Sequence, residues 1–91
     1  MTKAEIVNEI AKKTGIEKSV VLTTVESFMD VVKTSLTNQE PVYLRGFGSF
    51  IIKHRKEKTA RDIHKGEKME IAAHDIPAFK PAKIFLNEVK K

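Results

Sequence analysis

A run of cationic side chains follows directly on an apolar, glycine-containing segment, and it is the feature of this chain best suited to chemistry. After Gly46-Phe47-Gly48-Ser49-Phe50 come seven cations, diluted by four acids: Lys53, Arg55, Lys56, Lys58, Arg61, Lys65 and Lys68. A strand spaces such side chains at about 3.3 Å per residue. Lys and Arg neutralise phosphates, and Arg also donates to acceptors in the minor groove of DNA. We predict an arm at about residues 53–73 that binds a polyanion; the alternative is a solvated hairpin.

The net charge is distributed unevenly between the two halves of the chain. The 91 residues carry +5 in total. Residues 1–40 hold five cations against six anions, whereas residues 41–91 hold twelve cations against six anions. A near-neutral half followed by a basic half indicates a scaffold followed by a binding surface.

Several classes of function find no support in the composition. The chain has no Cys, which removes disulfides and thiolate sites, and no stretch approaches the roughly 20 apolar residues of a membrane span. The N-terminus lacks the apolar region of a signal peptide. His54, His64 and His74 are evenly spaced but lack further ligands, and no catalytic motif is present. We therefore predict no enzyme activity, no metal, no cofactor and no membrane association, and a cytoplasmic location.

Two helices are predicted in the near-neutral half. Thr2 and Glu5 form a capping-box pattern, and Gly15 marks the end of the first helix. The second helix runs from about residue 18 to residue 37, with apolar residues at helical spacing: Val21, Val25, Phe28, Met29, Val32 and Leu36. Val20 and Leu22 widen this apolar face beyond what one short helix covers. The width favours packing against a second subunit, although an ordinary core stripe within one chain stays possible.

The basic half reads as strands followed by a short helix. Pro41 breaks the second helix, and apolar residues around Gly46 and Gly48 predict strands. Polar residues on both faces extend a strand from residue 53 to residue 59, and alternation returns near Met69. Pro81 is expected to open a final helix over residues 82–89, since proline suits the first turn. Some seventy residues outside the arm make a marginal core for a monomer, so oligomerisation is expected.

Two segments of the basic half carry a resemblance to a known family. Leu44-Arg45-Gly46-Phe47-Gly48-Ser49-Phe50 and Ile76-Pro77-Ala78-Phe79-Lys80-Pro81, separated by the arm, resemble the bacterial histone-like DNA-binding proteins HU and integration host factor. The resemblance runs in register over essentially the whole chain. It implies an α+β fold: an N-terminal helical hairpin, a three-stranded antiparallel sheet with an extended β-arm, a short C-terminal helix, and an intertwined dimer.

The resemblance also implies roles for individual residues. Lys3, Lys80 and Lys83 match phosphate-contacting positions, and Gly46 would allow a close approach to phosphate. Ile63 stands where relatives carry a wedging proline, and Asp62 stands where they carry asparagine, which adds an anion near the groove. Ile63 is a candidate wedge, or simply an exposed Ile. The predicted DNA-binding set is Lys3, Gly46, Lys53, Arg55, Lys56, Lys58, Arg61, Ile63, Lys65, Lys80 and Lys83. The predicted dimer interface and core comprise Val25, Phe28, Met29, Val32, Phe47, Phe50 and Phe79.

The prediction from the sequence is a single domain over residues 1–91, with a helical dimerisation part (1–40), a sheet with the arm (41–81) and a C-terminal helix (82–91). Its expected function is architectural: largely non-specific binding of double-stranded DNA, with bending and compaction through minor-groove arms, in the nucleoid. A homodimer is favoured and a heterodimer is possible. The alternatives are a site-preferring, integration-host-factor-like protein and a dimeric protein-interaction module without nucleic acid.

Overall fold

The computed structural model describes residues 1–56, 58–61, 68–71 and 73–90, with only the backbone of residues 58–61 and 68–71. Its elements in chain order are the helices α1 (Lys3–Thr14) and α2 (Lys18–Thr37), the strands β1 (Val42–Leu44), β2 (Gly48–Arg55), β3 (Lys58–Arg61), β4 (Lys68–Ile71) and β5 (His74–Pro81), and the helix α3 (Lys83–Val89). This architecture confirms the predicted α+β fold class.

The first two helices form a hairpin whose ends follow the predicted signals. The backbone N–H of Glu5 donates to the Thr2 hydroxyl at 3.2 Å, which caps the start of α1. Gly15 closes α1 by donating to the carbonyl of Ala11. Val7 of α1 and Val21 of α2 are buried in the hairpin. Most of the other apolar residues of α2 are at least partly exposed in the single chain.

Two separate antiparallel sheets follow the hairpin. The first has the strand order β1-β2-β5, and the second pairs β3 with β4. In the first sheet Tyr43 lies opposite Ser49, and Ser49 lies opposite Lys80. The predicted strand from residue 53 to residue 59 is not continuous, because β2 ends at Arg55 and β3 begins at Lys58. Helix α2 packs against β1 and β2.

Four phenylalanine rings join the sheet to the C-terminal helix. The centroid of the Phe47 ring lies 5.0 Å from that of Phe79 and 5.4 Å from that of Phe85. The Phe50 ring lies 5.1 Å from that of Phe79. Aromatic pairs at such separations stabilise a core beyond the area that they bury. The cluster therefore fixes α3 against the β1–β2 turn.

The predicted role of Pro81 at the start of the final helix is wrong. Pro81 is the last residue of β5, opposite Gly48, and α3 begins at Lys83 with Ala82 as its N-cap. Strand β5 is at the edge of its sheet, where proline is tolerated. Ala82 donates its N–H to the carbonyl of Phe47 at 2.9 Å. By the alternation of an antiparallel ladder, Pro81 therefore occupies a position that needs no donor toward β2.

Candidate nucleic-acid interface

The three-stranded sheet has two faces of different character. Phe50 and Ile52 line a cleft together with Val32 and Leu36 of α2, so their side of the sheet faces the helices. Ser49, Ile51 and Lys80 line a depression on the opposite side, which we name the open face. Successive strand residues point to opposite faces. Lys53 and Arg55 of β2 therefore share the open face with Ser49 and Ile51.

The open face carries only one sign of charge along its described strands. Its residues in β1, β2 and β5 include three cations, Lys53, Arg55 and Lys80, and no Asp or Glu. All three cations are exposed. Such a surface attracts polyanions, and its field is not weakened by acids among these strand positions.

The β1–β2 turn completes the open face at one end of the sheet. Gly46 has φ 81°, a left-handed conformation that favours glycine, and Phe47 donates its N–H back to the Leu44 carbonyl at 3.0 Å. Gly48 is required for space, because a Cβ there would lie 2.6 Å from the Lys80 carbonyl oxygen and from the Phe79 ring. The turn thus brings its backbone close to β5 and to the start of α3.

Three side chains around this turn extend the cationic surface beyond the strands. Arg45, Lys80 and Lys83 line the same open depression as Gly46. Tyr43, which is 75% exposed, also lines it. The structure therefore brings the predicted residues Gly46, Lys80 and Lys83 together. Arg45 and Tyr43 were missing from the predicted set, although Arg45 directly precedes Gly46 in the segment that carries the resemblance.

Lys3 has a different environment from the cations of the open face. Its ammonium lies 3.0 Å from Oε1 of Glu26 on α2, and both side chains are about half exposed. The ion pair links the two helices and compensates the charge of Lys3. A phosphate contact at Lys3 would have to compete with Glu26.

The remaining predicted arm residues are only partly described. Lys56 is exposed just beyond β2, and the backbones of Lys58 and Arg61 lie in β3. The side chains of Lys58 and Arg61 lie outside the described part of the structure, as do Ile63 and Lys65 entirely. Their predicted roles stay predictions.

The predicted interface and core residues are unevenly buried in the single chain. Val32 is buried and Val25 and Phe50 are half-buried, whereas Phe28 is 44% exposed and Phe47 is 45% exposed. Met29 and Phe79 are each 38% exposed. The cleft between α2 and the sheet has a volume of about 570 Å³. A single chain therefore leaves large apolar side chains uncovered on both the helices and the sheet.

Two other kinds of site find no support among the residues that the structure describes. No group of three or more His, Asp or Glu in this part of the chain is placed to hold a metal ion. No helix in the described ranges is long and apolar enough to cross a membrane.

This α+β chain has a cationic sheet face and a separate pair of strands, β3 and β4. It is similar to known proteins over its full length. The family model described as "Bacterial DNA-binding protein" matches residues 1–90. The DNA-binding protein HU of Thermus thermophilus is 38% identical over 91 residues, covering 100% of this chain and 94% of that protein. An integration host factor subunit alpha from Anaeromyxobacter is 33% identical over 87 residues, covering 96% and 88%.

A solved structure agrees with these relatives. The Anabaena HU–DNA cocrystal structure superposes with a TM-score of 0.92 at 32% identity, covering 98% of this chain and 97% of that one. The chain belongs to the bacterial DNA-binding protein family. The predicted resemblance to HU and integration host factor is thereby confirmed.

Proposed function

We propose that this protein is an architectural DNA-binding protein, which binds double-stranded DNA as a dimer and bends it. The observation that carries the proposal is the open face, where Lys53, Arg55 and Lys80 stand without an acid among the described strand positions. Arg45 and Lys83 extend this charge around Gly46. Membership of the DNA-binding family supports the same reading, as does the likeness to an HU chain solved with DNA.

The proposed chemistry is neutralisation of phosphates by a preformed cationic surface. Each phosphate neutralised releases counterions, so affinity falls as salt rises. Arg45, Lys80 and Lys83 would hold the backbone of the duplex, while the arm cations Arg55, Lys58 and Arg61 would follow the minor groove. Neither predicted N-terminal helix carries the excess of cations expected of a helix that enters a groove, so preference among DNA sites would arise from deformability.

A dimer is the proposed assembly because the single chain leaves its apolar surface uncovered. Phe28 and Met29 on α2, with Phe47 and Phe79 on the sheet side, are all more than a third exposed. Large apolar patches on small proteins mark interfaces. A second copy that inserts its helices into the cleft between α2 and the sheet would cover them and place two arms on one duplex.

A site-preferring role like that of integration host factor is the second candidate. The 33% identity to an integration host factor subunit supports it. A heterodimer is the corresponding alternative to a homodimer. In either case the proposed location is the nucleoid in the cytoplasm, and no enzyme activity is proposed.

Gel-shift titrations with linear, nicked and four-way-junction DNA at two salt concentrations test the proposal. We expect tight binding that weakens steeply with salt, and tighter binding to nicked and junction DNA, because a loosened stack bends more easily. Binding that is equal for all three DNAs would leave a DNA binder that does not bend its target. No binding at low salt would refute the proposed function and revive the protein-interaction module.

A further inference from the structure

The end of α2 has an unusual residue in a conformation that normally belongs to glycine. Gln39 has φ 63° and is the one non-glycine residue with positive φ in the described chain. It donates its N–H to the Leu36 carbonyl, while Glu40 donates to the Ser35 carbonyl. These two bonds form the helix-ending motif in which the left-handed position is usually Gly. A glutamine there is strained relative to glycine.

The Gln39 side chain reaches the sheet where β2 and β5 leave the body. Its Nε2 donates to Oδ2 of Asp75 at 3.3 Å, across 36 positions of sequence. The other oxygen of Asp75 pairs with Nδ1 of His54. Because a carboxylate only accepts, the His54 ring is the donor. One carboxylate therefore joins the end of α2 to strands β2 and β5.

Asp75 and His54 occupy the last body-facing pair before the arm continues. They lie directly opposite each other in the β2–β5 ladder, on the face that carries Phe50 and Ile52 nearer the core. Beyond them the ladder has one more pair, Arg55 and His74. Two-stranded ribbons twist more strongly than larger sheets, so a contact with the body at this pair constrains the direction in which the ribbon leaves.

A small change of angle at this point has a large effect at the far end. Residues 56–73 number eighteen, and an extended hairpin of that length would reach about 30 Å. A rotation of about 10° at its base would displace its end by about 5 Å, close to the roughly 6 Å width of the minor groove. Arm direction and entry into the groove are therefore coupled.

We propose that Asp75 is a positioning residue that, through Gln39 and His54, holds the base of the arm at a fixed angle to the helical body. We name these three residues the arm brace. The inference rests on the proposed function for its consequence in DNA bending, but the brace itself acts in the free protein. Its removal would leave phosphate binding at the open face intact and would scatter the directions of the arm.

The charge of Asp75 gives a test that separates two explanations, because a change of net charge alters the affinity for every duplex alike, whereas loss of the brace alters the preference between duplexes. Asp75→Ala and its matched control Glu40→Ala each remove one acid from this region, and Glu40 is exposed next to Gln39 in the α2–β1 connection. Electrostatics alone predicts slightly tighter DNA binding for both variants. The brace predicts that Asp75→Ala, unlike Glu40→Ala, lowers the preference for nicked over linear duplex by up to about fivefold, the usual effect of losing an exposed ion pair. Asp75→Asn, which keeps an acceptor, should recover part of this preference.

Gln39→Gly separates positioning from stability. Glycine relieves the positive φ, so the melting temperature should rise by about 4 °C or more, while the preference for nicked DNA should fall. If the Gln39 side chain only stabilised the fold, its loss would lower both the melting temperature and the preference for nicked DNA. A Gln39→Gly variant that is more stable and keeps its full preference would overturn the proposal.

Backbone relaxation in the DNA-free protein tests the brace without the proposed function. We expect the amide order parameters of Arg55 and His74 to fall in Asp75→Ala from about 0.85 toward 0.6, with Ile51 and Ala78 unchanged. Unchanged values at Arg55 and His74 would refute the brace. If neither parent nor variant binds DNA but the order parameters fall as expected, the proposed function fails and the brace stands.

Discussion

The helical half of the chain, residues 1–40, and the β half, residues 41–91, expose surfaces of different chemical character. The helical half has one more acid than cations, and Phe28, Met29 and Val31 of its long helix remain exposed. The β half has six more cations than acids, and the described cations of its three-stranded sheet lie on one open face. One half has apolar surface to cover and the other has charge to neutralise. Assembly and DNA binding should therefore be separable by mutation, except where a side chain of one half contacts the other half.

The phenylalanine cluster of the β half joins the sheet to α3, and its loss should have the largest effect. Phe47→Ala removes a ring that contacts Phe79 and Phe85. If a second subunit covers this ring, which is 45% exposed in the single chain, we expect a loss of roughly 3–5 kcal/mol in the free energy of unfolding, measured by urea denaturation at fixed protein concentration. Tyr43→Ala is the control, since Tyr43 is 75% exposed on the open face. It should change stability by no more than about 0.5 kcal/mol, and equal losses would contradict a shared core around Phe47.

Substitutions of Ile63 separate DNA bending from DNA affinity more clearly than other changes in the β half. If it enters a base step, the unstacking costs a few kcal/mol that the bent complex must recover. Ile63→Ala should reduce the bend, measured by energy transfer between labelled DNA ends, and keep most electrostatic affinity. Ile63→Pro should keep or increase the bend, because proline is rigid. A full bend with Ile63→Ala would exclude the wedge and point to Asp62 as the reason the tip stays outside the stack.

Protein concentration tests the assembly role of the helical half. A tenfold increase in concentration should stabilise a folded dimer by about 1.4 kcal/mol, which raises the melting temperature by about 3–5 °C. Differential scanning calorimetry over two decades of concentration measures this shift. A midpoint that does not move, together with a monomeric mass in ultracentrifugation, would remove the dimer from the proposed function.

The Lys3–Glu26 ion pair offers the smallest effect and tests whether the helical half contributes to binding at all. Glu26→Gln should change the free energy of unfolding by less than about 1 kcal/mol, because the pair is half exposed. A freed Lys3 that gains a phosphate should steepen the salt dependence of binding by about 0.9. Glu9→Gln makes the same charge change at an exposed position of α1 and should leave the slope unaltered. Equal slopes in both variants would mean that releasing Lys3 from Glu26 adds no phosphate contact.

The sequence predicted best those elements whose signals are local. The capping pattern at Thr2, Gly15 and the breaker Pro41 bracket α1 and α2, and the structure ends these helices at Thr14 and Thr37. The role of Pro81 was wrong because proline suits both the first turn of a helix and an edge strand. Only the pairing with Gly48 distinguishes the two.

Contacts between distant segments could not be predicted in the same way. Lys3 and Glu26 are 23 positions apart, and Gln39 and Asp75 are 36 apart. No periodicity joins such pairs, because the angle between the helices and the register of β5 decide them. Arg45 and Tyr43 were missed for a related reason. Their place on the cationic surface follows from the β1–β2 turn and from the strand register.

The salt dependence of binding to a linear duplex tests most directly the division between the two halves. Lys80→Gln with Lys83→Gln removes two cations from the open depression, and Lys12→Gln with Lys13→Gln removes two exposed cations from α1. We predict that the slope of log affinity against log salt becomes shallower by about 1.8 for the first pair. For the second pair we predict no change. Equal losses of slope from both pairs would show that net charge alone binds the DNA, and would contradict the open face as the binding surface.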